Sequence, residues 1–427
     1  MRSGTADLPL HNGRVPRWLS ERMARLGREV VRILVEEQGA DAFLSRLSDP
    51  FWFQSLGCVM GMDWHSSGIT TSVMGALKRG VNPLSHELGI YICGGRGRYS
   101  RATPDEIIDI SHKEGLDGDE LVRSSRLSAK VDNTCLQDGF QIYLHNFILT
   151  REGRWAVVQQ GMNKENAMAR RYHWHSPKIK SFVLDPQAAV SGRNQGQLVN
   201  LSDRRSEDAH KAILDFSRQS TSVQTGELRQ LLMPSRHDVR PEDVNPERLG
   251  AVLAAAGETG VSSFQDLLMI QGLGPRTMRS LALVSEVIYG TPCRFDDPAR
   301  FSFAHGGKDG HPFLVPLKVY DETLAFLQRS VTKSRVDESE KRDSLKRLHS
   351  LQIRIESLEN LRADPEKVMA WDRQHSSEFG GRTVGGPVRP GGRSRFVHRT
   401  AASDGGHRSS RGTGKKDPQL ELFGDQI

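Results

Sequence analysis

Residues 140–150 (FQIYLHNFILT) and residues 155–160 (WAVVQQ) decide the fold of this 427-residue chain. Both segments are rich in β-branched and aromatic residues, and residues 151–154 (REGR) between them have the composition of a hairpin turn. Apolar residues follow one another along the first segment, so both faces of its strand should be buried. The sequence therefore predicts an antiparallel β-hairpin that lies inside a larger sheet.

Helical patterns surround this hairpin. An amphipathic helix is predicted after Pro16, because one face carries apolar residues at spacings of three and four: Leu19, Met23, Leu26, Val30 and Leu34. Together with the strands, such helices predict an α+β domain over residues 1–220. A polar segment marked by prolines follows, and it predicts a connector over residues 221–245.

The rest of the chain is predicted to be helical and then disordered. Residues 246–320 should form an all-α domain, and residues 321–372 a long amphipathic helical region that packs on that domain or pairs with another chain. Residues 373–418 consist largely of Gly, Arg, Ser and His, which predicts disorder. They carry ten basic and three acidic residues, so their local excess of seven equals the net charge of the whole chain, +7. Such a tail attracts phosphate without reading sequence.

Composition excludes several classes of protein. The four cysteines lie far apart without a Cys-x-x-Cys pair, which excludes a zinc site built on thiolates. No apolar run is long enough to span a bilayer, and residues 1–14 lack the apolar run of a secretion signal. The sequence therefore predicts a cytoplasmic protein without membrane partners.

Two closely spaced glycines separate two apolar helical runs at residues 271–277 (QGLGPRT). Glycines let the backbone turn tightly and approach a phosphate, and the second helix would direct the positive end of its dipole there. The pattern resembles the helix-hairpin-helix motif of DNA repair proteins, which implies binding to the DNA backbone rather than to base edges. The residues predicted to bind DNA are Gly272, Gly274, Arg276, Thr277 and Arg279.

Some DNA glycosylases resemble this segment but carry a lysine at the position of Arg276 and an essential aspartate farther along. Asp296 and Asp297 stand close to the place of that aspartate. Arginine is too basic to form the Schiff base that the lysine forms. The resemblance therefore implies at most a monofunctional glycosylase, which is an alternative to the nuclease considered next.

Ionisable residues stand directly before the central hairpin. Lys130, Asp132 and Asp138 resemble the arrangement of restriction-endonuclease-like enzymes, which implies Asp132 and Asp138 as ligands of Mg²⁺ and Lys130 near the scissile phosphate. The second strand departs from that pattern, because it offers Gln159 and Gln160 where an acid and a lysine are usual. More polar residues in and after that strand are typical of core hydrogen bonds: Asn163, Arg170, Arg171, His173 and His175.

A glycine-rich loop provides a second candidate catalytic group. His305, Lys308 and Asp309 lie in residues 302–310 (SFAHGGKDG), where glycines flank three ionisable side chains. We expect this loop to face a phosphate or a reacting base.

Residues 419–423 (QLELF) follow the predicted disordered tail. Leu422 and Phe423 are adjacent large apolar side chains without a local core, and Gln419 offers an amide for the rim of a pocket. The segment is similar to the peptides by which bacterial replication and repair enzymes bind the sliding clamp. The resemblance implies that clamp as a partner, with Gln419, Leu420, Leu422 and Phe423 as the contact residues.

Several longer stretches also resemble a single family. Residues 49–68 (DPFWFQSLGCVMGMDWHSSG), 130–141 (KVDNTCLQDGFQ), 155–163 (WAVVQQGMN) and 305–310 (HGGKDG) are similar, in this order, to a prokaryotic domain-of-unknown-function family, number seven-six-three. The resemblance implies no particular reaction.

Taken together, these patterns predict a cytoplasmic, nucleoid-associated DNA-binding protein of replication-linked repair that the sliding clamp recruits. A magnesium-dependent nuclease is the expected activity. The alternatives are a monofunctional DNA glycosylase and a non-catalytic, clamp-tethered factor that recognises DNA structure.

Overall fold

The computed structural model describes residues 2–3, 15–62, 67–165, 167–220, 223–224, 246–291, 293–299, 314–315, 317–356, 382–383 and 386–387. The loop that contains His305, Lys308 and Asp309 lies outside these ranges, and so does the peptide of residues 419–423. Most of the predicted connector and most of the predicted disordered tail also lie outside them. What the sequence predicts for these segments stays a prediction.

Five antiparallel strands form the central sheet in the order of the chain. They are β1 (Ile90–Arg96), β2 (Gln141–Thr150), β3 (Trp155–Asn163), β4 (Met168–His175) and β5 (Ala189–Ser191). The predicted hairpin is confirmed, since β2 and β3 pair from Leu149 opposite Trp155 outward. Its turn contains Gly153 at a φ of +79°, a conformation that favours glycine. Two further strands, β6 (Gln197–Asn200) and β7 (Arg294–Asp296), form a separate antiparallel pair.

Helices cover both faces of the sheet. They are α1 (Arg17–Gln38), α2 (Ala40–Leu47), α3 (Pro50–Val59), α4 (Gly68–Val81), α5 (Ser85–Leu88), α6 (Arg98–Arg101), α7 (Thr103–Glu114), α8 (Gly118–Lys130), α9 (Glu207–Ser217), α10 (Pro246–Thr259), α11 (Phe264–Met269), α12 (Pro275–Val287), α13 (Leu317–Lys333) and α14 (Glu338–Glu356). A single π-helical turn, Val131–Cys135, continues α8. The α+β class predicted from the sequence is confirmed.

Alternate residues of the strands point to opposite faces, and each face has its own hydrophobic cluster. The first face, with Ile92, Ile148 and Val158, packs against α1–α4. The second face, with Phe147 and Trp174, packs against α7–α9. Four residues of the predicted apolar stripe of α1 are buried, namely Met23, Leu26, Val30 and Leu34, whereas Leu19 is half-buried.

The helices after residue 246 complete both clusters. Leu267 of α11 and Leu281 of α12 belong to the cluster on the second face, together with Phe147 of β2. Phe326 of α13 and Leu351 of α14 belong to the cluster on the first face. The amphipathic region after residue 321 therefore packs back on this chain, and the two domains predicted from the sequence share hydrophobic cores.

Within the described part of the chain, no helix combines the length and the apolar content that a membrane crossing requires.

Candidate functional site

The turn between α11 and α12 brings the predicted DNA-binding residues together. Ser263 caps α11 by accepting a hydrogen bond from the backbone N–H of Asp266 at 3.2 Å. Gly272 has a φ of +85°, so a side chain there would strain the backbone. Leu273 is buried and fastens the turn to the core. The turn is therefore held by its own apolar residue and by a left-handed glycine.

The space in front of α12 is open at Gly274. Gly274, which precedes Pro275, has an ordinary extended backbone, and a Cβ added to it would meet no heavy atom within 4 Å. No side chain of the described residues caps this helix end, and Arg276 is exposed. Thr277 is buried and Arg279 is half-buried, so of the two predicted cations Arg276 is the one that points into solvent.

Two buried polar side chains hold this turn against the π-helical turn after α8. Lys130 Nζ donates to the carbonyl oxygen of Leu273 at 2.9 Å. Gln137 Nε2 donates to the carbonyl oxygen of Pro275 at 3.0 Å, and Arg279 Nε donates to Gln137 Oε1 at 3.3 Å. Burial lowers the pKa of Lys130 to about 8. The sequence predicts that Lys130 faces a scissile phosphate. In the structure its ammonium group is buried and holds the backbone of the turn by this hydrogen bond.

Asp132 is fully buried and its carboxylate accepts hydrogen bonds on both oxygens. Trp174 Nε1 donates to Oδ2 at 2.7 Å, Gln159 Nε2 donates to the same oxygen, and Gln187 Nε2 donates to Oδ1 at 2.7 Å. Burial raises the pKa of Asp132 to about 7, although the three hydrogen bonds act in the opposite direction. Protein donors thus occupy the oxygens that the sequence predicted to bind Mg²⁺.

Asp138 belongs to a buried ion-pair network. Arg170 Nη1 donates to Asp138 Oδ2 at 3.0 Å, and Arg170 also binds both oxygens of Asp297, at 3.0 and 2.6 Å. Tyr172 donates its hydroxyl hydrogen to Asp138 Oδ2 at 2.6 Å. Burial raises the pKa of Asp138 to about 6, and the charge of Arg170 lowers it. Among the described residues, no group of three or more His, Cys, Asp or Glu side chains has a metal-binding arrangement.

The aspartates of the glycosylase alternative are also engaged. Asp297 is held by Arg170 inside the core, with no side-chain surface exposed. Asp296 lies at the surface, where its carboxylate accepts from Arg205 at 3.0 Å. Neither carboxylate stands free beside the turn in front of α12.

Sequence reasoning missed a hydrogen-bonded chain that runs from α8 into the sheet. Ser125 Oγ and His145 Nε2 are 2.8 Å apart, and His145 Nδ1 lies 2.8 Å from Gln159 Oε1. Since the amide oxygen only accepts, Nδ1 carries the proton and the serine hydroxyl donates to Nε2. Gln159 Nε2 in turn donates to the carboxylate of Asp132, which extends the hydrogen-bonded chain. The direction of these hydrogen bonds is the same as in the serine–histidine pair of hydrolases. Ser125 and His145 are both buried, however, so the hydrogen-bonded chain stabilises the fold. The sequence feature that could have revealed this hydrogen-bonded chain is the presence of His145 and Gln159 in otherwise apolar strands.

Residues 4–315, more than half of the chain, match one family model, DUF763, which is described as a protein of unknown function. No curated protein and no solved structure matches the chain.

Proposed function

This chain belongs to the DUF763 family, and we propose that it is a DNA-binding protein of replication-linked repair that holds duplex phosphates at residues 272–279. The observation that carries the proposal is the open N-terminus of α12. The first N–H groups of a helix have no acceptor within it, and the helix dipole adds partial positive charge there. Gly274 leaves room for a phosphate to approach those groups, and exposed Arg276 adds a full charge.

The braces from Lys130 and Gln137 support this proposal. They fix the carbonyl groups of Leu273 and Pro275, so the turn is positioned before a ligand arrives. A preorganised turn loses little conformational entropy on binding. Contacts of this kind hold the phosphate backbone and leave the base edges unread.

We also propose that residues 419–423 recruit the protein to the sliding clamp of a replicating cell. The support is the sequence of this peptide and its place behind a basic, glycine-rich tail. The clamp encircles the DNA that the turn before α12 holds. Binding at either site therefore raises the local concentration of the ligand at the other site, so two weak contacts give tighter binding together.

The proposed magnesium-dependent nuclease activity depends on His305, Lys308 and Asp309. Asp132 and Asp138 already accept hydrogen bonds from protein donors, and a cation at either would have to displace them. We expect His305→Ala and Lys308→Ala each to abolish magnesium-dependent cleavage of nicked or flapped duplexes while the melting temperature stays unchanged. Gel assays of labelled substrates measure the cleavage, and activity that persists in both variants would remove the loop from the reaction.

Gly274→Val tests DNA binding at the turn. A valine fits the extended backbone and the open space at this position, so the fold should be kept while close approach of a phosphate is blocked. We expect affinity for a short duplex to fall about tenfold, which is about 1.4 kcal/mol. Fluorescence anisotropy measures it in the full chain and in a chain ended after residue 370, because the basic tail binds DNA by itself.

The matched control is Gly75→Val in α4, a helix that packs on the opposite face of the sheet. Arg276→Ala should lower the slope of log affinity against log salt concentration by about one, as expected for one phosphate contact. Equal affinities of the two valine variants, with both folded, would exclude the turn from the DNA-binding surface.

A further inference from the structure

A row of three buried polar residues crosses the first face of the sheet, opposite to the Asp132 and Asp138 groups. Gln160 on β3 pairs with Arg171 on β4, and Arg171 pairs with Ser191 on β5. Directly paired residues of antiparallel strands point to the same face, so the three side chains lie side by side. All three have no exposed surface.

Each member of this row has one polar atom without a hydrogen-bond partner. These atoms are Gln160 Oε1, Arg171 Nη2 and Ser191 Oγ. Leaving a buried polar atom unpaired costs about 1–3 kcal/mol, and more for a charged group. Three such atoms in adjacent positions of one row therefore indicate a missing common partner.

The charge of Arg171 identifies the kind of partner. Its neighbour along β4, Arg170, points to the second face and is neutralised by Asp138 and Asp297. Arg171 is equally buried but donates only to uncharged atoms, namely Gln54 Oε1, Thr70 Oγ1 and His173 Nε2. No described carboxylate pairs with it, and burial alone lowers its pKa to about 9. The ring of Phe53, whose centroid lies 4.4 Å from Arg171 Cζ, offsets part of this charge, and a bound anion would neutralise it.

The first turn of α4 lies next to this row of polar residues. Arg171 Nη1 reaches Thr70 in that turn at 3.4 Å, and Gln160 Nε2 donates to the carbonyl oxygen of Ser67, the residue before the helix, at 3.2 Å. The N-terminal end of this 14-residue helix, which carries partial positive charge, therefore lies next to the row.

We propose that Gln160, Arg171 and Ser191 bind a phosphate group, either as inorganic phosphate or as a phosphate monoester. The guanidinium and the serine hydroxyl donate to phosphate oxygens, whereas Gln160 Oε1 accepts from the ligand and needs an O–H group on it. A phosphate monoester has a second pKa of about 6 and can carry that proton, which a carboxylate or a sulfate lacks at neutral pH. The ligand is inorganic phosphate or a small phosphate monoester such as a nucleotide, since both share this group.

The site is independent of the turn before α12, because it lies on the other face of the sheet. Loss of DNA binding in Gly274→Val and loss of phosphate binding in the row are therefore separate results.

The phosphorus content of the full-length protein is the first measurement. Protein dialysed into phosphate-free buffer and then denatured should release phosphate in stoichiometric amount, because a fully buried ligand leaves only through local opening. In phosphate-depleted protein, inorganic phosphate should raise the melting temperature by about 3 °C or more. Sulfate should raise it much less. Comparison of inorganic phosphate with a nucleoside monophosphate identifies the source of the group.

Two variants assign the effect to the row. Arg171→Met removes the unpaired charge, and Gln160→Glu places a carboxylate opposite the guanidinium. Both should abolish the response to phosphate. Gln160→Glu pairs the buried charge, so without phosphate it should melt no lower than the wild type. Arg171→Met removes the charge but also three hydrogen bonds, so only its phosphate response is compared. Arg205→Met, at an exposed ion pair, should keep the full response.

Phosphate release and a phosphate response that both variants lose would establish the site. Protein without phosphorus and without a response would overturn it, and so would an equal response to sulfate, which indicates an adventitious ion only. A response that survives in either variant would also overturn it.

Discussion

Arg170→Met is expected to lower the free energy of unfolding by about 3–5 kcal/mol, because it leaves two carboxylates buried without a counter-charge. Asp138 and Asp297 both accept from Arg170, and all three side chains are inaccessible to solvent. Denaturation with urea, followed by circular dichroism, measures the loss.

The loss of unfolding free energy in Arg170→Met should depend on pH. Burial already raises the pKa of Asp138 to about 6 in the wild type, and removal of Arg170 takes away an interaction that lowers it. A carboxyl whose pKa is raised by folding stabilises the fold when protonated and loses that contribution as the pH rises through the folded-state pKa. The variant should therefore be closest to the wild type near pH 5 and farthest from it near pH 8.

The matched control for this prediction is Arg205→Met. Arg205 also pairs with two aspartates, Asp203 and Asp296, but it is half exposed, so its loss should stay below about 1 kcal/mol. Equal losses in Arg170→Met and Arg205→Met would show that the buried network contributes no more than a surface ion pair.

The double variant Leu422→Ala, Phe423→Ala is expected to abolish binding to the sliding clamp and to leave the affinity for free DNA unchanged. The two adjacent apolar side chains supply most of the area that a short peptide can bury. We expect the isolated peptide of residues 419–423 with its flanks to bind the clamp with a Kd on the order of micromolar, because a short segment must be ordered on binding.

Glu421→Ala is the control for the clamp prediction, since position 421 lies within the peptide but outside the four residues of the motif. Isothermal titration with purified clamp should show wild-type affinity for Glu421→Ala and no binding for the double variant. Clamp binding that survives in the double variant would exclude the peptide as the docking segment.

The local elements of this fold were predictable from the sequence, and its long-range contacts were not. The β2–β3 hairpin and α1 depend on patterns within about twenty consecutive residues, which periodicity records directly. Contacts such as Lys130 with Leu273 join residues 143 positions apart, and no local pattern encodes them. The sequence therefore indicated that Lys130, Asp132 and Asp138 were unusual residues but not that hydrogen bonds within the fold occupy them.

The register of the sheet also could not be predicted from the sequence, and the row of polar residues on the first face depends on it. Gln160, Arg171 and Ser191 become neighbours only when β3, β4 and β5 pair as they do, and a shift of one residue would turn one of them to the other face. Gln160 and Arg171 stood out in the sequence as polar residues in buried strands. Ser191 did not, because a serine before a glycine is an ordinary feature of loops.

The shared cores have a consequence for synthesis on the ribosome. The cluster on the first face of the sheet is completed by α13 and α14, which pack on α1 and α3, and the cluster on the second face by α10–α12, which pack on α8 and α9. All of these helices are translated after the five strands of the central sheet. The nascent chain therefore carries two apolar clusters that stay incompletely covered until α12, which ends at Val287, and α14, which ends at Glu356, have emerged. Such an intermediate is prone to aggregation, so production of this protein should respond strongly to the supply of chaperones and to the speed of translation.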